Sequence, residues 1–428
     1  MSKLTVRSSK IQIFLMLIVS TAVALLFCEF ILSQLSHLIL LPQDKVSFRQ
    51  LARVSAQKRN VEFDRRTIYE VVRDLRSENK EAYPASSPNH FVKEELGQPK
   101  SSKLIFNGKP ILPLSLAANK TYTYCNESGS YLIYHTDEMG FVNPSGTWSN
   151  PIENVTLGDS FTQGACVPPG KGFVGLVRTR FPATLNLGYS ANGPLHHLAV
   201  IREYLHQLKP KRVFWFHYEN DLEDLKRDQD NTILLSYLEK KFNQNLMESF
   251  HQLQGQYLSF LEEFYQAMAR ANPTIRREFD EEDLHQDQTL ARLLSLSQIR
   301  SIFRAIVRNK SNSESSDYEK ELQLFKTILR LANEEVSSWG GKIVFVYLPQ
   351  GERYLPLSKP QSFLSSHRLE ILAEVNNLSI DLIDIHLRFE KLPDPLKLYY
   401  YVPGSHYSES GHQVVSKAVI EYLEKHND

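Results

Sequence analysis

The sequence has no excess charge of either sign: Lys plus Arg and Asp plus Glu both number 49 in 428 residues. A basic nucleic-acid coat or an acidic tail is therefore excluded as the organising feature. Cysteine is scarce too. Three cysteines are too few for a disulfide scaffold or a four-thiolate zinc site. Disorder throughout is excluded by the opposite property, because a chain that is 42% hydrophobic can bury a sizeable core. Length alone, at roughly 100–200 residues per domain, suggests two to four domains. Long apolar runs are missing everywhere except near the N-terminus.

There, residues 11–28 (IQIFLMLIVSTAVALLFC) carry no charge, and a second run, FILSQLSHLILL, follows Glu29. About 20 apolar residues span a bilayer, so one transmembrane helix is expected within residues 11–41. Glu29 marks its exit, with the second run lying amphipathically at the surface. Lys3, Arg7 and Lys10 favour a cytoplasmic N-terminus for residues 1–10 and an extracytoplasmic domain. Lys45, Arg49, Arg53, Lys58 and Arg59 follow the segment, so charge alone does not orient it. A cleaved signal peptide with Ala22-Val23-Ala24 as its small-residue site is the rival reading. The apolar run continues past that site, which favours an uncleaved anchor. Beyond the anchor only Cys125 and Cys166 remain. In an oxidising compartment they form one bridge or stay two buried thiols, and both readings stand.

Residues 42–100 are charged and end in a Pro/Ser-rich patch, the pattern of a partly helical stalk. Short β-type runs with Asn/Gly turns fill residues 104–141. The pattern then changes. Strand-like runs are expected at residues 153–157, 184–187, 212–217, 342–348 and 380–385. Helical stretches at 172–181, 195–207, 318–339, 367–376 and 410–425 separate most of them. Such alternation predicts an α/β domain over 101–428 with a doubly wound parallel five-stranded sheet. Ligand chemistry in such sheets sits at the C-terminal strand ends.

More than a hundred residues separate the third and fourth strands. Leu234, Leu238, Phe242, Leu246, Phe250, Leu253, Tyr257, Leu261 and Phe264 fall three or four apart, a long amphipathic stripe that Pro273 is expected to end. A second helical region around 290–307 and a polar loop at 309–317 complete a helical insertion over 226–317. Its aromatic stripe reads as packing.

The strand ends carry the chemistry. The first run breaks into Gly158-Asp159-Ser160-Phe161-Thr162, the second gives Asn186-Leu187-Gly188, and the third gives Tyr218-Glu219-Asn220-Asp221. His406-Tyr407-Ser408-Glu409-Ser410-Gly411-His412 opens the last helix. A serine nucleophile needs a base within hydrogen-bond reach and donors aimed at the developing oxyanion. Ser160, His406, a Gly188 N–H and the Asn220 amide make that inventory.

With these blocks in this order, the chain resembles the SGNH/GDSL hydrolase family over about 138–225 and 340–425, the insertion falling outside. The resemblance implies Ser160 as nucleophile and oxyanion donor, Gly188 and Asn220 as further oxyanion donors, and His406 as base. It also implies a flavodoxin-like sheet, a serine esterase with neither metal nor cofactor, and acyl esters of envelope glycans or lipids as substrates. Residues 136–141 (TDEMGF) look like the lead-in of membrane-anchored members linked to cell-surface polysaccharides. An O-acyltransferase would use the same groups with a sugar hydroxyl in place of water. A polymer-binding or assembly protein that has lost efficient chemistry is the alternative from another class.

That alternative draws on two departures. The family usually carries an Asp two or three residues before the histidine, where this chain has Gly404 and Pro403. Glu219 stands where a glycine often precedes the asparagine. A backbone carbonyl, Ser405, Glu409 or Asp384 are the candidates to orient His406. Other motifs are decoys. Gly170-Lys171-Gly172-Phe173-Val174-Gly175 fits a dinucleotide fingerprint but follows Pro168-Pro169 instead of a strand. His196-His197 lacks a metalloprotease frame, and residues 209–212 (KPKR) read as a solvated turn. His412 reads as a first-turn helix residue, while Asp159 and Asp221 read as braces of their loops.

Overall fold

The computed structural model describes residues 47–93, 100–285, 314–355 and 360–426, with isolated positions between 16 and 28. The anchor expected within residues 11–41 lies largely outside them, as does the helical region expected around 290–307. Among the described residues no helix is long and apolar enough to cross a membrane.

Five strands form one parallel sheet: β1 (Asn154–Leu157), β2 (Thr184–Asn186), β3 (Arg212–Tyr218), β4 (Lys342–Leu348) and β5 (Asp381–Asp384). Their spatial order is β5-β4-β3-β1-β2, the doubly wound, flavodoxin-like order. Both faces are covered, which is why β3 and β4 read as unbroken apolar runs. Side chains alternate across a strand. Phe214, Phe216, Val344 and Val346 therefore pack with the helices Phe173–Arg180 and Glu409–Lys425. Trp215, Ile343 and Phe345 face the other way, toward the helices Pro194–Val200 and Glu314–Ser337. The strand order reverses between β1 and β3, so the crevice at their C-terminal ends is the position where a site belongs.

Between β3 and β4 lie the helices Asp221–Asp228, Leu246–His285 and Glu314–Ser337. The last begins inside the stretch expected as a polar loop and serves as the crossover onto the sheet, with Phe325 set against Phe345. Pro273 does not end its helix, which runs on to His285. Proline forfeits one backbone hydrogen bond, and contacts on either side of it hold the helix in line. Asn272 accepts a hydrogen bond from the Thr67 hydroxyl, and Arg276 donates to the Arg65 carbonyl and pairs with Glu70.

The expected stalk does not stand clear of the domain. Ser47 and Thr67 cap the helices Phe48–Lys58 and Ile68–Ser77, the second through a capping box with Glu70. The second buries an apolar face, Val71, Val72 and Leu75, while the first buries a mixed one, Gln50, Ala52, Arg53, Ser55 and Ala56. Val71 and Val72 pack with Ala82 and Tyr265, Ala52 and Ala56 are buried, and Ser55 donates to the Tyr400 carbonyl. The prelude that follows pairs Ala82–Pro84 in parallel with Thr121–Thr123, which pairs antiparallel with Ile133–His135.

Phe345 is fully buried, whereas Leu387 is 49% exposed. Phe345→Ala is expected to destabilise the domain by about 3–5 kcal/mol, and Leu387→Ala by about 0.5 kcal/mol or less. Urea unfolding followed by fluorescence measures both, and equal losses would refute the two-faced core.

Candidate active site

β1 ends in the one-turn helix Ser160–Gln163, with Asp159 as its N-cap. Asp159 Oδ1 accepts the Phe161 N–H at 2.9 Å, so Asp159 braces the turn. Burial, with Asp221 and Asp224 nearby, holds its carboxyl well above the usual range. The turn folds back tightly onto the strand: a Cβ on Gly158 would lie 2.0 Å from Thr162 Oγ1. Ser160 is the first residue of the turn, so its N–H has no acceptor within the helix. Because β1 lies between β2 and β3, Ser160 is flanked by the loop after β2 and by Asn220, which follows β3.

His406, just before the helix Glu409–Lys425, reaches this turn from the other half of the domain. Its Nε2 lies 2.8 Å from Ser160 Oγ. Its Nδ1 lies 2.9 Å from Glu127 Oε1, and its backbone N–H donates to Glu127 Oε2 at 2.7 Å. One carboxylate thus grips both the ring and the main chain. The network assigns the tautomer: Nδ1–H donates to Glu127, leaving Nε2 to accept the Ser160 hydroxyl proton. The two side chains are only 16% and 11% exposed, so solvent screens the pair weakly. Burial works to lower the His406 pKa, but the charge and hydrogen bond of Glu127, helped by Asp159, outweigh it and raise it.

Glu127 comes from the prelude, at the tip of the hairpin joining Thr121–Thr123 to Ile133–His135. Two residues before it, Cys125 is joined to Cys166 in a disulfide. Of the two readings open for these cysteines, the bridge is the one observed. Cys166 Sγ also lies 3.2 Å from His406 Nδ1. Among the described residues, Cys125, Cys166 and His406 bring potential metal-ligand atoms within 4.8 Å of one another. With the sulfurs bonded to each other, the thiolates that such a site needs are not available.

No family model and no curated protein matches the chain. Solved structures are similar to it. A lipase/acylhydrolase from Enterococcus faecalis is 11% identical, covering 64% of this chain and 97% of its own, with a TM-score of 0.34. A member of the lipolytic G-D-S-L family from Veillonella parvula is 11% identical over 64% and 98%, with a TM-score of 0.33. An acetyl xylan esterase is 10% identical over 64% and 100%, with a TM-score of 0.33.

Two departures from the GDSL pattern have physical reasons here. The position left without an acid before the histidine is compensated by Glu127, which lies 33 residues upstream of Ser160 in sequence. None of the three side chains expected to orient His406 holds its ring: Ser405 Oγ is engaged by the Tyr401 N–H and carbonyl and reaches only the backbone carbonyl of His406, at 3.2 Å, Asp384 pairs with Arg368, and Glu409 opens the last helix. Glu219, in place of a glycine, ties the end of β3 to the loop after β4. It accepts the Gln350 N–H at 2.9 Å and bonds Tyr347 and Arg353.

One expected donor needs correcting. The Gly188 N–H is not free; it donates to Asn186 Oδ1 at 2.9 Å. Gly188 is needed instead for close packing, since a Cβ there would lie 2.6 Å from Gln163 N. The N–H groups of Tyr189, Ser190 and Asn192 donate to Gly158 O, Gln163 Oε1 and Tyr189 O. That accounting leaves Ala191, held at φ 62°, and Gly193 as the residues of this loop whose N–H has none of these internal acceptors. Arg227 grips the Ala191 carbonyl at 2.9 Å. The Asn220 Oδ1 is buried. The paired histidines are buried packing groups, His196 against Asp228 at 2.8 Å and His197 edge-on to Trp215. His412 Nδ1 accepts the Phe173 N–H at 3.1 Å, and burial pushes its pKa down to about 3. Asp221 is buried beside His217 at 3.1 Å.

If Glu127 is what raises His406, Glu127→Gln lowers its titration midpoint from above the ordinary value of about 6.5. Histidine-selective NMR across a range of roughly 2.5 pH units either side of that value reads the midpoint. An unchanged midpoint in the variant would exclude Glu127 as the source.

Proposed function

We propose that the chain is a serine ester hydrolase of the SGNH/GDSL family. The observation that carries the reading is the Ser160 Oγ at 2.8 Å from His406 Nε2, with Nδ1 of the same ring held by a carboxylate. Ser160 attacks an acyl carbonyl as His406 takes its proton, and Glu127 stabilises the imidazolium while keeping the ring in orientation. Negative charge develops on the carbonyl oxygen beside the N-terminus of the nucleophile turn. There the Ser160 N–H, the Ala191 N–H in place of that of Gly188, and the Asn220 amide stabilise it. The intermediate collapses as His406 returns the proton to the leaving alcohol, and water repeats the sequence to free the acid.

The substrate class follows the same resemblance: acyl esters on envelope glycans or lipids, presented to an extracytoplasmic domain anchored through residues 11–41. A sugar hydroxyl in place of the second water gives acyl transfer by the same groups. A binding-only role drew on the missing acid beside the histidine, and the Glu127 carboxylate removes that argument.

A fluorophosphonate probe is expected to label wild-type protein at Ser160 and to leave Ser160→Ala unlabelled. Asn220→Ala is expected to lower kcat on a small acetyl ester by about 10²–10³-fold, the loss of one oxyanion donor. Unlabelled wild-type protein that also fails to turn over the ester would refute the enzyme reading.

A further inference from the structure

The Ser160–His406 reading leaves open what brings Glu127 to the histidine. The acid belongs to the prelude and the nucleophile to the sheet, so the pairing depends on how those two parts are joined. Several contacts hold the hairpin tip, but they lead elsewhere. Arg59 donates to the Glu127 and Ser128 carbonyls at 3.2 and 3.1 Å, and Asn126 donates to the Asp64 carbonyl at 2.7 Å. Both tie the tip to the segment after the helix Phe48–Lys58. Toward the nucleophile, among the described residues, Tyr124 Oη lies 2.6 Å from Ser190 Oγ, Gln163 of the nucleophile turn donates to Tyr134 Oη at 3.2 Å further along the hairpin, and one covalent link is made beside Glu127, the Cys125–Cys166 bridge. Its Cα atoms are 5.5 Å apart and 41 residues apart in sequence. It joins a residue two before Glu127 to a residue six after Ser160. Cys166 is itself anchored, since its carbonyl accepts the Tyr400 hydroxyl at 2.9 Å.

Resting on the reading of Ser160 and His406 as a hydrolytic pair, we propose that the Cys125–Cys166 bridge positions Glu127 against His406, so that full turnover belongs to the oxidised chain and falls when a dithiol opens the bridge. In that exchange a thiolate of the dithiol attacks one sulfur, giving a mixed disulfide. The second thiol of the same reagent then attacks the reagent's bound sulfur, closing the reagent's own disulfide and expelling the chain's cysteine as a thiolate. The reagent loses two electrons and two protons and leaves as a cyclic disulfide, and Cys125 and Cys166 remain as two thiols. The bridge forms only where thiols are oxidised, so the acid is locked to the base after the domain has left a reducing compartment.

The bridge acts through Glu127 and touches no reacting bond, so its loss has a specific signature. Displacing an orienting group by about 1 Å costs on the order of 10²-fold in rate, and the cost falls on kcat with KM little changed. The pH profile moves too. The groups facing His406 are Glu127 and Tyr124 on the hairpin, Asp159, Ser160 and Cys166 around the nucleophile turn, and His412 on the last helix. Opening the bridge frees Glu127 from this set, and the acidic limb of kcat shifts to lower pH.

The full chain in detergent is assayed on a soluble acetyl ester, oxidised and after dithiothreitol, with thiol titration confirming that the bridge has opened. The Cys125→Ala/Cys166→Ala chain is assayed in the wild-type and Glu127→Gln backgrounds, and thermal melts establish that each variant is folded. The expected result is a loss in kcat of about tenfold or more with Glu127 present, against about twofold or less with Glu127→Gln, because interacting sites are non-additive. An opened bridge with unchanged kcat and pH profile would overturn the proposal. So would equal losses in the two backgrounds, or a variant that melts before it can be assayed while dithiothreitol leaves the folded wild type fully active. An oxidised chain that neither labels with fluorophosphonate nor turns over ester overturns the hydrolase reading and this proposal together. Normal oxidised turnover that ignores reduction overturns this proposal alone.

Discussion

The site depends on one carboxylate with two hydrogen bonds. Glu127 accepts the ring Nδ1–H and the backbone N–H of the same histidine, which fixes where His406 is as well as which way it faces. An acid two or three residues before a histidine shares its loop and moves with it. An acid on a separate hairpin shares nothing with that loop, so the hairpin must itself be fixed. This accounts for the density of contacts around residues 124–128: an arginine on two carbonyls, an asparagine on a third, a tyrosine on Ser190 and a disulfide. The helix Phe48–Lys58 ends at Arg59, whose guanidinium holds the Glu127 carbonyl and so takes part in fixing the acid.

Where the chemistry converges is set by the sheet. Strand order β2-β1-β3 puts the nucleophile turn between the loop that ends in Gly193 and the start of the helix Asp221–Asp228. Ser160 stands between its two expected sources of oxyanion donors for topological reasons alone. The last helix then brings His406 across the same crevice. Glu219, which looks like a flaw in the asparagine block, is the clamp that joins the ends of β3 and β4 through Tyr347, Gln350 and Arg353.

The strands were legible because their burial on both faces leaves a strong local trace: β3 is RVFWFHY and β4 is KIVFVYL. Ser160, Asn220 and His406 were legible because each follows a strand or opens a helix. Glu127 was not. No periodicity links it to His406, and it lies in a stretch whose pattern reports turns and short strands only. The available signal was indirect: had Cys125 been paired with Cys166, Glu127 would have followed to within reach of the nucleophile. Gly188 was the natural choice for a free N–H by residue type, but the Asn186 side chain that consumes it acts at a distance sequence spacing does not report. Helix propensity, a local quantity, predicts a stop at Pro273, and tertiary contacts on Asn272 and Arg276 override it.

The acid that precedes the nucleophile in the chain also changes what counts as one module. Cut at the border where the GDSL-type blocks begin, near residue 138, the C-terminal piece retains all five parallel strands and every block of the motif. It would also retain Ser160 and His406, yet carry an unanchored imidazole. The stretch that holds the Ser160–His406–Glu127 network is therefore longer than the recognisable motif and reaches back at least to Glu127. Shuffling of the motif region alone transmits the sheet to a new protein without transmitting the complete site.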